Sequence, residues 1–510
     1  MKHKTARGLD PLNKGWLRDH RPDESGIEQV PERIVQFGEG RFLRGFFDWM
    51  IHRLNRSGHW CGRIVAVQPT PRGKVVPVLN AQDGLYTVVL EGLQNGKPLR
   101  EVELVTSISR GINPYEEWEE VLKLAERREI EWVVSNTTEA GLTYQTEAYS
   151  PGTAPLSFPG KLTAFLHRRY EFFSGAPEAG MWILPCELVE DNGDVLRDLV
   201  LKVAGDWELP GSFKRWVENS NVFCNTLVDR IVTGDAGERA DELFEELGYE
   251  DRLLTVAERY HLFAVEGDPE LKEHLPLHKA GLHVHWDSVA HYRELKLRIL
   301  NGTHTLLFAP ALLGGCETVS EAMKTKWLHR LATQALDSDI LPVLEGRRSE
   351  KKRFAEDVLE RFANPRIHHR WVDIGQNGVT KYHSRLLELL KRWKERNNRI
   401  PDTLAFSLAA LIRFYQGEVV DEGVIRIFLN GSEDLMREKP KTVSFFADVW
   451  AKWDGTPGGL EQLAAETLKN TEIWGEDLCS SIPWLHERVS VHLQRIVEQG
   501  IQQASSQLEI

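Results

Sequence analysis

The sequence predicts an α/β domain with a parallel sheet, followed by a mostly α-helical domain. Strand-like and helix-like segments alternate between about residues 33 and 185, a glycine turn joins the first strand to the first helix, and long amphipathic stretches recur from Val289 onward. A chain of 510 residues with 41% hydrophobic content can bury two cores, which we place at 31–286 and 287–510. Residues 1–30, charged and punctuated by Pro11 and Pro22, are expected to form an irregular lead-in.

The segment Arg33-Ile-Val-Gln-Phe37 has strand character, Gly38-Glu-Gly40 can form a tight turn, and Phe42 to Ile51 has helical apolar spacing. Strand, turn and helix in this order suit a Rossmann-type dinucleotide site. Gly38 permits a backbone geometry closed to other residues, and Gly40 lets a pyrophosphate approach the amides at the helix start. Two glycines in a turn are common, so this element alone decides nothing.

Further strands are expected at Arg63–Val67, Tyr86–Leu90, Glu101–Val105, Glu131–Ser135 and Met181–Pro185, with helices at Tyr115–Arg128 and Leu162–Phe172. Asn136 and Thr137 follow a buried strand, where an open α/β sheet places its ligand crevice; capping a helix would use the same residue types. Beyond Asn225–Arg230 the pattern is mixed, with strand signals at 253–256 and 262–265. Helices are expected at 289–300, 303–312, 319–336, 351–362, 384–396, 402–416, 459–468 and 487–501, and turns at Asn430–Ser432 and Gly455–Gly459.

A net charge of -13, from 76 acidic and 63 basic residues, argues against nucleic acid as a partner. No run of eighteen apolar residues or signal-type stretch occurs, so the expectation is a cytoplasmic protein without a membrane partner. Five scattered cysteines with no CxxC pair predict neither a disulfide framework nor a structural zinc site. Oligomeric state is left open.

The chemistry concentrates in Lys296-Leu-Arg-Ile-Leu-Asn301-Gly-Thr-His304. In hydride transfer to a carbonyl, the oxygen gains negative charge and then a proton. A lysine ammonium can stabilise and protonate that oxygen, and in reverse the neutral amine must act as base, which requires lowering its usual pKa of about 10.4. Asn301 can donate an amide hydrogen, and His304 can hold the oxygen or a neighbouring hydroxyl. On a uniform α-helix, about 100° per residue puts Asn301 about 140° and His304 about 80° around from Lys296, with His304 roughly 12 Å further along the axis. Either the side chains converge or Gly302 distorts the helix. An exposed lysine, a capping asparagine and an ordinary histidine would give the same letters. A nucleotide-regulated scaffold, its sixteen tryptophans forming partner surfaces, is the alternative class; tryptophan more often fills cores.

Lys296-x4-Asn301-x2-His304, Gly38-Glu-Gly40-Arg-Phe42-Leu-Arg44, Gln82-Asp-Gly-Leu-Tyr-Thr87 and Val228-Asp229-Arg230 together resemble the polyol-specific long-chain mannitol dehydrogenase family, over nearly the whole chain. The resemblance implies a nicotinamide-dependent oxidoreductase in which Lys296, Asn301 and His304 are catalytic and no metal is needed. It also implies that Gly38, Gly40, Phe42 and Arg44 form the nucleotide turn, and that Asp229 faces the cleft. The segments 37–49, 67–70 and 134–141 are closer still to members that reduce hexuronates, which implies a small hexuronate or hexonate as substrate. A further oxyanion-binding asparagine is implied within 186–193, assigned to Asn192. Mannitol-oxidising relatives carry Cys-Asp-Asn where this chain has Cys186-Glu-Leu188, which disfavours an uncharged polyol.

A uronate carboxylate calls for a cation. Lys381, in a segment resembling the family's substrate loop after Asn364-Pro365, is the first candidate and Arg385 the second. The second strand is followed by Gln68 rather than an acidic residue. Gln68 can serve the ribose as a neutral partner, whereas Arg72 or Lys74 can accommodate a phosphate. The residues leave NADP(H) open; the resemblance favours NAD(H).

Overall fold

The computed structural model describes residues 8–24, 29–94, 96–234, 237–397, 399–429 and 431–508. The chain divides into two compact units, Met1–Gly92 with Pro98–Tyr292, and Leu93–Lys97 with Arg293–Ile510. No described helix is long and apolar enough to cross a membrane.

Within the lead-in, the described residues 8–24 are more ordered than their charge suggests. Helix α1 (Lys14–His20) is capped by Asn13, whose side chain accepts from the Trp16 amide. Leu12, Trp16 and Leu17 are buried with Leu85, Leu104 and Tyr249, so an apolar cluster outweighs the local charge.

Six parallel strands form the main sheet of the first unit: β1 (Glu32–Phe37), β2 (Arg63–Val67), β3 (Ile108–Ile112), β4 (Trp132–Ser135), β5 (Trp182–Pro185) and β6 (Val222–Phe223), in spatial order β3-β2-β1-β4-β5-β6. This is the doubly wound Rossmann order, and the strand order reverses between β1 and β4. Alternate residues serve opposite faces. Ile34, Ile64, Ala66 and Val134 pack with Met50, Ile51 and Leu54 of α3 (Phe47–Arg56). Val35, Val65, Val67 and Val133 pack with Leu162, Phe165 and Leu166 of α4 (Phe158–Phe172). Both faces being covered explains why these strands read as continuous apolar runs. The short helix α2 (Arg41–Arg44) follows the glycine turn, and α5 (Asn192–Asp206) follows β5.

The second unit is mostly helical. Central helices α6 (Gly302–Leu313) and α9 (Asp402–Phe414) are buried along nearly their whole lengths, and Ser407 Oγ donates to the Leu306 carbonyl at 2.9 Å. Around them lie, among others, α7 (Arg348–Phe362), α8 (Gly378–Tyr382) and α10 (Leu485–Gln499). A three-stranded antiparallel sheet of residues 417–421, 424–429 and 432–437 was not anticipated beyond its turn signal, whose Asn430 lies outside the described residues.

Candidate active site

In the first unit, the crevice outside the carboxyl ends of β1 and β4 gathers most of the expected cofactor residues. Gly38 has φ +126, and a β-carbon there would stand 2.9 Å from the Asn136 carbonyl oxygen, so the turn can pass this close to β4 only as glycine. A β-carbon on Gly40 would meet nothing within 4 Å, which leaves the start of α2 open to a ligand group. Glu39 between them is buried; its Oε2 has no hydrogen-bond partner among the described residues, and burial pushes its carboxyl up to about 7.

Arg44 is buried and acts as a strut: its Nη1 donates to the Glu39 carbonyl at 2.6 Å, and its Nε to Thr255 Oγ1 at 3.3 Å. Phe42 stacks on Phe46 with centroids 4.9 Å apart. Gln68 Nε2 donates to the Thr70 carbonyl at 2.8 Å, whereas its buried Oε1 lacks a partner among the described residues. An open approach at Gly40 and a buried unpaired acceptor at Gln68 fit a dinucleotide with its pyrophosphate at α2 and a ribose hydroxyl at Gln68.

The loops after β4 and β5 are tied by a carboxylate that the sequence reading overlooked. Glu187, buried, accepts from the Thr137 amide at 2.9 Å, Thr137 Oγ1 at 3.0 Å and Ser135 Oγ at 3.0 Å. Asn136 Nδ2 donates to the Cys186 carbonyl at 2.7 Å. Thus Asn136 and Thr137 hold the crevice wall in place. The clue to Glu187 was its position directly after the strand-terminal Cys186.

Asn192 corrects the sequence assignment. It is fully buried; its Oδ1 accepts from the Thr226 amide at 2.8 Å, and its Nδ2 donates to the carbonyls of Pro185 and Glu187, each at 3.0 Å. Both ends of the amide are committed to the protein, so its geometry is that of a positioning residue rather than an open oxyanion donor. Asp229 is buried at the end of the strand Asn225–Asp229, opposite Leu262. Its neighbour Arg230 donates to the Gly45 carbonyl at 2.8 Å and lies 4.1 Å from the Trp49 ring centroid, so the end of that motif is structural.

In the second unit the decisive feature is a change of helix type. Residues Lys296–Asn301 form a π-helix that continues into α6. With i→i+5 bonding a residue turns by about 80°, so Asn301 falls about 40° and His304 about 20° around from Lys296. On this ideal winding the three fall toward one helix face, where uniform α-helix would spread them. A second π-helix, His383–Leu387, follows α8, and the two segments are clasped reciprocally. Arg298, buried, donates to the carbonyls of Ser384 and Arg385 at 2.8 Å each, while Arg385 Nη1 donates to the Asn301 carbonyl at 3.4 Å and Thr305 Oγ1 at 3.0 Å. A β-carbon on Gly302 would lie 3.3 Å from Leu386, so the glycine serves close packing.

The His304 ring stacks on Phe362 at 4.1 Å, with His369 edge-on at 5.7 Å. Its Nε2 is buried without a hydrogen-bond partner among the described residues. Burial, reinforced by the charges of His369, Arg361, Arg385 and Lys381, holds the imidazole well below the usual histidine range. Lys381 Nζ donates to the Ile374 carbonyl at 2.8 Å, and burial together with Arg385 lowers its pKa. The start of α8, which carries Lys381, is fixed by Glu438, whose carboxylate accepts from the amides of Val379 and Thr380 at 2.9 and 3.2 Å.

Comparison with known proteins matches the mannitol dehydrogenase Rossmann domain over residues 32–279 and the mannitol dehydrogenase C-terminal domain over residues 288–496. The chain belongs to the mannitol dehydrogenase family. Relatives in that family include altronate oxidoreductase of Halalkalibacterium halodurans, 47% identical over 499 residues, with 98% of this chain and 97% of the relative covered. Altronate oxidoreductase of Bacillus subtilis is 39% identical, with 98% of each chain covered. Among solved structures, a D-sorbitol dehydrogenase in substrate-free form aligns with a TM-score of 0.76 at 23% identity, over 97% of this chain and 99% of that one. Pseudomonas fluorescens mannitol 2-dehydrogenase, in ternary complex with NAD and D-mannitol, aligns with a TM-score of 0.63 at 21% identity over the same shares. Both structures share the mannitol dehydrogenase fold with this chain.

Proposed function

We propose that this chain reduces D-tagaturonate reversibly to D-altronate, with NADH as the preferred reductant and Lys296 as general acid and base. The observation that carries this reading is the setting of His304: an imidazole on the face shared with Lys296 and Asn301, surrounded by cationic side chains and lacking a hydrogen-bond partner at Nε2 among the described residues. Such a site suits a polar, anionic sugar better than a neutral polyol. Near-full-length kinship to altronate oxidoreductases supports the same substrate class.

When bound, the reduced nicotinamide supplies a hydride to the ketone carbon. Lys296 Nζ steadies the charge gathering on the oxygen and delivers the proton that completes the alcohol. Asn301 offers an amide hydrogen to that oxygen. His304, kept neutral, can accept or donate a hydrogen bond without adding charge. Asn192 acts one step removed, by tying the strand ends at Pro185 and Thr226. Lys381 is the leading cation for the carboxylate; Arg385 has already spent Nη1 on Asn301 and Thr305. On the cofactor side, the neutral Gln68 acceptor suits an unphosphorylated ribose.

Oxidation of NADH and of NADPH by the purified protein, followed with tagaturonate, fructuronate and fructose in parallel, tests the proposal. Turnover led by tagaturonate with NADH is expected. Preference for fructose would replace it with a ketose reductase, and preference for fructuronate with the epimeric activity.

A further inference from the structure

His369 belongs to no motif of the sequence, yet its ring stands 5.7 Å from that of His304, edge to face. Its backbone is pinned: the Val319 amide donates to the His369 carbonyl at 3.0 Å, the Trp371 amide donates to the Glu317 carbonyl at 2.9 Å, and Thr318 bridges Arg370. Thr318 in turn closes a capping box with Glu321. The segment after Asn364 is therefore held against a capped helix start, and the imidazole is presented from a fixed backbone. Arg361, at the end of α7, supplies a second cationic group to both His304 and His369.

Arg361, Lys381 and Arg385 concentrate positive charge around two imidazoles that burial keeps from adding to it. Asp373 is the acidic group that opposes it at His369, and Glu438 the one that opposes it at Lys381. Holding these groups together costs free energy unless a ligand brings negative charge. Resting on the uronate reading above, we infer that His369 shares recognition of the sugar acid's carboxylate with Lys381, taking up a proton as the carboxylate binds and so strengthening the preference for an acid over an uncharged ketose.

The sign follows from the surroundings. Burial and Arg361 depress the imidazole, with Asp373 opposing, so the free protein favours the neutral form of His369. A carboxylate beside it favours the imidazolium, so binding draws one proton from solvent. Catalytic efficiency toward the acid should therefore fall as pH rises through the titration of this depressed imidazole, whereas efficiency toward a neutral ketose should not follow that fall.

The test uses the full chain with NADH and compares kcat/KM for tagaturonate and fructose from pH 5.5 to 8, in the parent, His369→Gln and His369→Lys. In the parent, the ratio of the two efficiencies should drop with pH. In His369→Gln the ratio should be roughly tenfold lower at pH 5.5 and flat across the range, with fructose turnover within about twofold of the parent. In His369→Lys the ratio should be restored and flat. Calorimetric titration of the NADH-loaded parent with altronate, a pair that cannot transfer a hydride, in buffers of different ionisation enthalpy, should register proton uptake that His369→Gln loses. An unchanged ratio in both variants, or equal losses on both substrates, overturns the role of His369 while leaving the uronate activity standing. A parent that reduces fructose and no uronate overturns both readings.

Discussion

Two histidines of the second unit make an instructive pair. His492, on α10, is buried and its Nε2 lies 2.8 Å from Asp402 Oδ1 at the start of α9; the protein itself supplies a carboxylate partner. His304, on α6, has cations for neighbours, and its Nε2 is unsatisfied among the described residues. The first arrangement has a carboxylate partner supplied by the protein, with only Nδ1 left unpaired among the described residues, and reads as structural. The second has no such partner, and a buried polar site without one persists when function depends on what will fill it.

The largest effect should come from the residue sharing the His304 face. Lys296→Ala is expected to lower turnover by roughly 10²–10⁴-fold while leaving NADH affinity near the parental value, as read by cofactor fluorescence titration. Near-normal turnover in the folded variant would remove Lys296 from the chemistry and weaken the contrast between the histidines.

Next comes the contrast itself. His304→Asn should depress kcat strongly with a small change in Tm. His492→Leu should do the reverse, costing about 1–3 kcal/mol by removing the hydrogen bond to Asp402, which keeps its ion pair with Arg488, with folded enzyme keeping its kcat. Thermal melts and steady-state kinetics on both variants decide the matter, and a matching pattern in the two would collapse the distinction.

A third comparison separates the two cations. Lys381→Met should reduce kcat/KM for tagaturonate by roughly 10–150-fold, the range of a charge-assisted contact worth about 1.5–3 kcal/mol. Arg385→Met should instead lower Tm as well as activity, because it unfastens the Asn301 carbonyl and Thr305. Equal kinetics for Lys381→Met and the parent would place the carboxylate elsewhere.

The smallest expected effect is that of chelation. With Lys296 handling the proton, exhaustive treatment with EDTA should leave activity essentially intact; loss restored only by a divalent ion would require a different account of the oxygen's stabilisation.

Local pattern was enough to place β1, the Gly38–Gly40 turn, the strands at Arg63 and Trp132, and most helices after Val289. Continuous apolar runs record burial on both sheet faces, and amphipathic spacing records burial on one side of a helix. The chemical letters Lys296, Asn301 and His304 were legible too, although on a uniform helix they do not share a face. Their alignment depends on a π-helical turn, and that turn is clasped by Arg298 and Arg385 across some 87 residues of sequence, a relation no local window contains. Asn192 shows the same limit in the other direction: its letter suggested an open amide, and only the packed structure reveals that Thr226, 34 residues away, holds its oxygen while Pro185 and Glu187 hold its nitrogen. The sequence by itself determined which segments fold as strand or helix and which chemical groups are present, because those follow from propensity and spacing. Only the tertiary structure decided which of those groups are satisfied by the protein and which are left for a ligand, because hydrogen-bond satisfaction is settled between residues that meet in space.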